Sequence, residues 1–154
     1  MNSTVLYYYD TIKTALTGLK NYDGSLKITD VIDETITPSL SIDIEGETFE
    51  YTVSESGTHY DTNSAVNFSV FFMFKRSKNN APELEIRKHG YYWYDLIVSK
   101  LQGLTATAFA DTVNDREVSI VATLINSCDF LYPSPNDING IRVQGTLHTN
   151  INYQ

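Results

Sequence analysis

The sequence predicts an α+β domain: a small antiparallel β-sheet with two helices packed on one face. Two segments repeat apolar residues at spacings of three and four, which is the period of a helix. Several others alternate apolar with polar residues, which is the period of a strand. Their order is helix, hairpin, strand, helix and two strands, and the 154 residues suit a single domain over 1–154.

The first helix is predicted over residues 3–19. Ser3 is suited to cap its start, and Gly18 lies near its end. Its apolar residues form one stripe: Val5, Tyr8, Ile12, Leu16 and Leu19. Residues 20–39 are mixed in character, and we predict a loop there with a short strand near residues 25–29.

A hairpin is predicted over residues 40–53, with its turn at Gly46. Apolar residues alternate with polar ones on both sides of this glycine: Leu40, Ile42, Ile44, Phe49, Tyr51 and Val53. Residues 54–64 are small or polar except for Tyr60, so we predict a loop of about eleven residues there.

The strand predicted over residues 66–76 is apolar on both faces. Phe71 and Met73 lie on the face where a strand half in water would carry polar side chains. Two kinds of cover are open: a neighbouring subunit, or the second helix or the 20–39 segment of the same chain. The other face is fully apolar: Val66, Phe68, Val70, Phe72 and Phe74.

The second helix is predicted over residues 83–102. Asn80 is suited to cap it, Pro82 fits its first turn, and Gly103 ends it. Its apolar stripe has seven members: Ile86, Gly90, Trp93, Tyr94, Ile97, Val98 and Leu101.

The last third of the chain predicts two strands, over residues 117–126 and 141–153, with a loop over 129–140 between them. The final strand would span about 43 Å, whereas a compact chain of this size is about 40 Å across. We therefore expect it to cross the whole domain or to run past the edge, where another chain can pair with it.

The net charge of −8 is concentrated in the first part of the chain. Residues 1–62 contain 11 acidic and 3 basic residues, whereas residues 63–154 are balanced. Proteins that bind the phosphate backbone of DNA carry clustered basic residues, so this composition argues against DNA binding. Two interpretations of the acidic part stand: a solvated face that favours solubility, or a wall past which DNA slides without sticking.

Motifs that carry chemistry are absent from the sequence. Neither a nucleophile elbow nor a phosphate-binding loop is present, and the single cysteine, Cys128, excludes an internal disulfide. Asp111, Asn114 and Asp115 are better explained by a turn than by a cation site. We therefore expect no catalytic residues, no cofactor and no metal. The histidines are too far apart for a metal site: His59, His89 and His148.

The sequence also shows no sign of a membrane segment or an export signal. No apolar stretch approaches the roughly 20 residues of a membrane span, and no secretory leader is visible. We expect no membrane partner and no oxidising compartment.

This layout resembles the tail terminator proteins of long-tailed bacteriophages. The resemblance covers nearly the whole chain and rests on element order: 3–19 for the first helix, 40–53 and 66–76 for the first strands, 83–102 for the second helix, and 117–126 and 141–153 for the closing strands. It implies a six-membered ring that sits on the last tail-tube ring. Such a ring ends tube polymerisation and joins the tail to the head or neck.

The same resemblance implies the partners of the chain. They are further copies of itself, the tail tube protein and a neck or connector protein, with DNA passing through the lumen without specific binding. The implied location is the virion, after synthesis in the bacterial cytoplasm.

A ring is built from heterologous contacts, in which one patch meets a different patch on the neighbour. Apolar, basic and acidic residues are the predicted contact set: Phe71, Met73, Lys75, Arg76, Lys78, Arg87, Lys88, Asp43, Glu45 and Glu47. Alternatives are another neck or tail-tube ring subunit, or a monomeric α+β protein-binding module. An enzyme ranks third, because no motif supports it.

Overall fold

Two α-helices and eight β-strands follow one another in the computed structural model, which describes residues 3–21, 24–25, 27–28, 39–53, 60–75, 83–131 and 138–153. The helices are α1 (Thr4–Leu16) and α2 (Glu83–Leu101). Three strands have two residues each: β1 (Lys20–Asn21), β2 (Gly24–Ser25) and β3 (Lys27–Ile28). The five longer strands are β4 (Ser39–Val53), β5 (Tyr60–Lys75), β6 (Ala106–Asp111), β7 (Arg116–Leu131) and β8 (Ile138–Tyr153).

A six-stranded sheet in the order β3-β4-β5-β8-β7-β6 organises the fold. Its five longer strands are antiparallel, and β3 adds two residues parallel to β4. β1 and β2 form a separate antiparallel pair. The predicted α+β class with an antiparallel sheet is confirmed.

Both helices pack on one face of this sheet, because each presents an apolar stripe to it. The Trp93 ring of α2 lies 4.8 Å from the Phe72 ring of β5, centroid to centroid. One continuous core joins the helices and the sheet. The fully buried helix residues confirm the centres of both predicted stripes: Tyr8, Ile12 and Leu16 on α1, and Trp93, Ile97 and Leu101 on α2. Val5, which was assigned to the α1 stripe, is 52% exposed, so that part of the prediction is wrong.

The helix ends follow local signals. The Ser3 side chain caps α1 by accepting a hydrogen bond from the Leu6 N–H at 3.3 Å. Gly18 and Gly103, just beyond the two helices, adopt φ angles of 83° and 78°, a conformation that glycine reaches without strain. The predicted Asn80 and Pro82 start signals of α2 lie outside the described residues.

The predicted hairpin at residues 40–53 is wrong, because β4 is one continuous strand. It pairs with β5 from Ser39 opposite Met73 to Val53 opposite Tyr60. Where the turn was expected, the register shifts between Ile44 and Gly46, as in a β-bulge that adds one residue to the strand. The predicted 54–64 loop is correspondingly too long: residues 60–64 belong to β5, and residues 54–59 lie outside the described part of the chain.

The final strand is longer than predicted and lies inside the sheet. β8 pairs with β5 from Lys75 opposite Ile138 to Thr62 opposite Ile151. On its other side it pairs with β7 as far as Arg116 opposite Tyr153. The expectation of a strand end projecting past the domain is therefore wrong, because two equally long strands flank β8.

Strand β6 was not predicted, and the 129–140 loop was predicted too long. The segment Ala106–Asp111 is rich in small residues and alternates weakly, yet it forms the outer strand beside β7. Residues 129–131 and 138–140 belong to β7 and β8. Residues 132–137 lie outside the described ranges.

Met73 is covered by its own chain, although it lies on the face opposite the helices. Its exposed fraction is 4%, so no neighbouring subunit is needed to bury it. Phe71 on the same face is half-buried, and its ring lies over Gly140. Two segments of the same chain were considered as cover, the second helix and residues 20–39. The second helix, α2, is excluded because it packs on the other face of the sheet, against Phe72.

Candidate subunit-contact surfaces

The bulge in β4 separates the three acids of the predicted contact set, Asp43, Glu45 and Glu47. Asp43 and Glu45 are exposed, whereas Glu47 is half-buried beside the core. The Glu47 carboxylate accepts hydrogen bonds from the Tyr8 hydroxyl at 2.8 Å and the Ser64 hydroxyl at 2.5 Å. Ser64 also hydrogen-bonds to Thr149. Burial, together with the negative charge of Glu47, raises the pKa of Tyr8. Glu47 therefore ties α1 to the sheet and does not lie on the surface with the other two acids.

An acidic edge remains on β4, formed by Asp43, Glu45 and Glu50, all of them exposed. On its outward side β4 pairs with β3 only at Ser39 and Leu40. Along the rest of β4, the described part of the chain shows no strand on that side. Asp43 and Glu45 also have no ion-pair partner among the described residues.

A basic–aromatic patch lies at the other side of the molecule. We define it as Arg87, Lys88, Tyr91 and Tyr92 of α2 together with Phe130 of β7. Arg87 and Lys88 are exposed, and the two tyrosines follow one helical turn later, with exposed fractions of 43% and 59%. Phe130 meets Tyr91 edge-on, with 5.3 Å between the ring centroids.

The two surfaces lie toward opposite sides of the sheet. The register runs from Asp43 on β4 through Ser69 and Gln144 to Ser127 on β7. Three strand spacings therefore separate β4 from β7 at this level, about 14 Å. Helix α2 packs over β7 and β8, which places the patch on the far side from the acidic edge.

The remaining predicted contact residues are only partly described. Lys75 is the last residue of β5, and its side chain is outside the described set. Arg76 and Lys78 lie outside the described residues altogether. Phe71 is half-buried and Met73 is buried, as stated above.

The sheet face without helices is mainly polar. Thr146 of β8 accepts a hydrogen bond from the Asn126 amide at 2.8 Å and donates one to Asn67 at 3.2 Å. Ser127 donates to Gln144 at 3.1 Å. Depressions of about 420 and 280 Å³ indent this face, and His148 lines the larger one. Charges on it are few and mostly negative.

A further groove of about 510 Å³ separates α1 from β6, lined by Leu6, Tyr7 and Phe109 among others. The Tyr7 and Phe109 rings stack across it with centroids 4.9 Å apart. The Tyr7 hydroxyl donates to the Thr107 carbonyl at 2.8 Å. These contacts hold the helix against the outer strand.

Asp111 organises a turn, as the sequence predicted, rather than a cation site. Its carboxylate, 3% exposed, accepts hydrogen bonds from the Asn114 side chain and the Arg116 Nε, each at 2.8 Å, and from Thr4 of α1 at 3.0 Å. Hydrogen bonds hold the pKa of the Asp111 carboxyl well below its usual range, and the bond from Asn114 has the largest effect, followed by those from Arg116 and Thr4. Asp115 completes the turn at a φ of 51°.

Other groups with potential chemistry in the described ranges are isolated. Among the described residues, no cluster of three His, Cys, Asp or Glu side chains is arranged to hold a metal. Burial and the neighbouring Asp129 raise the pKa of the Cys128 thiol to about 11. No helix in the described ranges is long and apolar enough to cross a membrane.

No protein-family model matches the chain, and no curated protein is significantly similar to it.

Sequence reasoning missed the aromatic half of the patch. Tyr94 was assigned to the apolar stripe of α2, whereas Tyr91, Tyr92 and Phe130 were not singled out. The available signal was the tyrosine content, 11 residues, since tyrosine is enriched at protein–protein interfaces. Only the pairing of β7 with β8 brings Phe130 beside α2.

Proposed function

We propose that this chain is a structural virion protein that forms a ring at the top of a phage tail tube, ends tube polymerisation and joins the tail to the head or neck. One observation carries the proposal: the domain bears two chemically different surfaces toward opposite sides of its sheet, an acidic edge on β4 and a basic–aromatic patch on α2 and β7. Surfaces of this kind favour head-to-tail association, which closes into a ring when the rotation between copies is suitable.

The polar face supports the same function. A ring around passing DNA needs an inner wall that lacks clustered basic residues, because such residues bind phosphates. Away from the acidic edge, the face without helices carries Asp129 and, as its described basic residue, Arg142, and these two pair at 3.5 Å. We assign this face to the lumen side of the ring.

The test has two parts. First, light scattering after size-exclusion chromatography, run across protein concentration, should show a discrete oligomer of several 17.4 kDa chains, and negative-stain images should show rings. Second, adding the protein to growing tail tubes should stop their elongation and leave a cap at one end. A monomer at every concentration, with tubes that grow normally, would rule out the proposal and favour a protein-binding module.

A further inference from the structure

We infer that the acidic edge of one copy docks on the basic–aromatic patch of the next, so that charge sets the direction of the ring. The inference rests on the proposed ring but concerns only which surfaces meet. The edge supplies Asp43 and Glu45, and the patch supplies Arg87 and Lys88, all exposed in the isolated chain.

Self-pairing through either surface is unfavourable. If two β4 edges paired antiparallel about a two-fold axis, the exposed acids of one copy would face those of the other. Like charges placed opposite each other destabilise a strand pair. Two patches face to face would likewise bring Arg87 and Lys88 together with their own copies. The remaining combination, edge on patch, places opposite charges together, and it is the head-to-tail arrangement.

The aromatic residues would provide the apolar centre of this contact. Tyr91, Tyr92 and Phe130 are 43%, 59% and 37% exposed, so each has area left to bury. Tyrosine and arginine are enriched among the residues that dominate binding energy. Charge pairs at the rim chiefly determine partner choice and association rate. The patch thus combines an aromatic centre with a charged rim.

Charge reversal on each surface tests the contact. One variant carries Arg87→Glu and Lys88→Glu, and a second carries Asp43→Lys and Glu45→Lys. Each variant alone should fail to form the wild-type oligomer, because both contact surfaces then have the same sign. A mixture of the two should assemble, because every edge again meets a patch of opposite charge. A single chain with all four changes should also assemble.

A control separates this effect from a change in net charge. Lys13→Glu with Lys100→Glu lowers the net charge as much as the first variant does, at exposed residues in the last turns of α1 and α2 that belong to neither surface. This control should assemble like the wild type. Circular dichroism of each variant should match the wild type, which shows that the chains are folded. The thermal midpoint of the control should fall slightly, because Glu in the last turn of each helix opposes the helix dipole.

The aromatic centre has its own test. Tyr92→Ala should weaken association about tenfold or more, because a tyrosine at the centre of a contact commonly contributes much of its binding energy. Unchanged association would show that Tyr92 lies outside the contact. Raising the salt from 0.1 to 1 M shortens the screening length from about 10 to 3 Å and should weaken assembly of the wild type.

The outcomes distinguish the two proposals. If the wild type forms rings and the charge-reversed variants form them equally well, the contact lies elsewhere and this inference is wrong, while the ring remains. If the separate variants fail and their mixture also fails, the pairing of edge with patch is likewise wrong. If the wild type itself never leaves the monomeric state, both the ring and the contact are refuted.

Discussion

Replacing Gly145 by alanine would place a methyl group where the Phe68 ring already lies. A Cβ built on Gly145 would be 2.6 Å from Cζ of Phe68 and 2.9 Å from the carbonyl oxygen of Leu124. Neither neighbour can move easily, since Phe68 is 1% exposed within the core and the Leu124 oxygen belongs to the backbone of β7. Gly145 itself pairs with both flanking strands, opposite Phe68 and Ile125.

The size of the effect follows from overpacking. Inserting a methylene or methyl into a packed core typically costs about 1–3 kcal/mol. Contact with two fixed neighbours places Gly145→Ala at the upper end, about 3 kcal/mol. A domain of this length loses about 2–4 °C of thermal midpoint per kcal/mol, so the midpoint should fall by roughly 6–12 °C.

Urea unfolding followed by circular dichroism measures this change, with Gly46→Ala as the matched control. Gly46 is also a strand glycine, but it is exposed, and nothing lies within 4 Å of the added Cβ. The control should stay within about 0.5 kcal/mol of the wild type. Phe68→Leu removes the ring that the added methyl group would meet. In this background Gly145→Ala should lower the free energy of unfolding by less, which a double-mutant cycle would show as coupling. Equal stabilities for the Gly145 and Gly46 variants would refute the reasoning.

Two further predictions concern ionisable groups. Asp111→Asn should cost about 2–4 kcal/mol because it breaks a buried charged network, whereas Asp115→Asn, at a φ of 51° that asparagine tolerates, should be nearly neutral. The pKa of Asp111 is lower in the folded than in the unfolded chain, so its stabilisation holds above about pH 3.9 and fades as the pH falls further. The stability of the Asp111→Asn variant should therefore depend less on pH below that value than the stability of the wild type does. Burial and Asp129 raise the pKa of Cys128 from 9.0 to about 11, so less of the reactive thiolate is present in the folded protein. Iodoacetamide at pH 8 should therefore react with Cys128 about 100-fold more slowly in native protein than in protein unfolded by urea. Equal rates would contradict this prediction.

The helices could be predicted well because their signals are local. The α1 stripe needs only the 3.6-residue period, and Ser3 caps the helix with its own side chain. Trp93, Ile97 and Leu101 on α2 follow the same rule. The two glycines beyond the helices supply the positive φ that ends them. None of these features depends on a distant partner.

Strand boundaries were predicted less well because they depend on pairing. Gly46 resembles a turn residue in the sequence, yet β5 holds β4 extended on both sides of it. β6 alternates too weakly to be recognised, and it forms because β7 offers hydrogen-bonding partners. The final strand was expected to cross the whole domain or to run past its edge, and the long β5 and β7 flank it along its length.

The candidate contact surfaces were also predicted in part from the sequence and decided in part by strand pairing. Composition and charge order indicated an acidic first part and a basic later stretch, and Asp43, Glu45, Arg87 and Lys88 were all named from the sequence. The bulge in β4 removed Glu47 from that set, because one extra residue moves every following side chain to the other face.

By itself, the sequence determined the fold class, the two helices, the apolar face of β5 and the uneven distribution of charge. Periodicity, capping and net charge are properties of neighbouring residues, so they can be recognised before any strand is paired. Only the tertiary structure decided the strand order, the central position of β8, the burial of Met73 and the joining of Phe130 to Tyr91. Each of these depends on segments that are distant in sequence and meet only when the sheet forms.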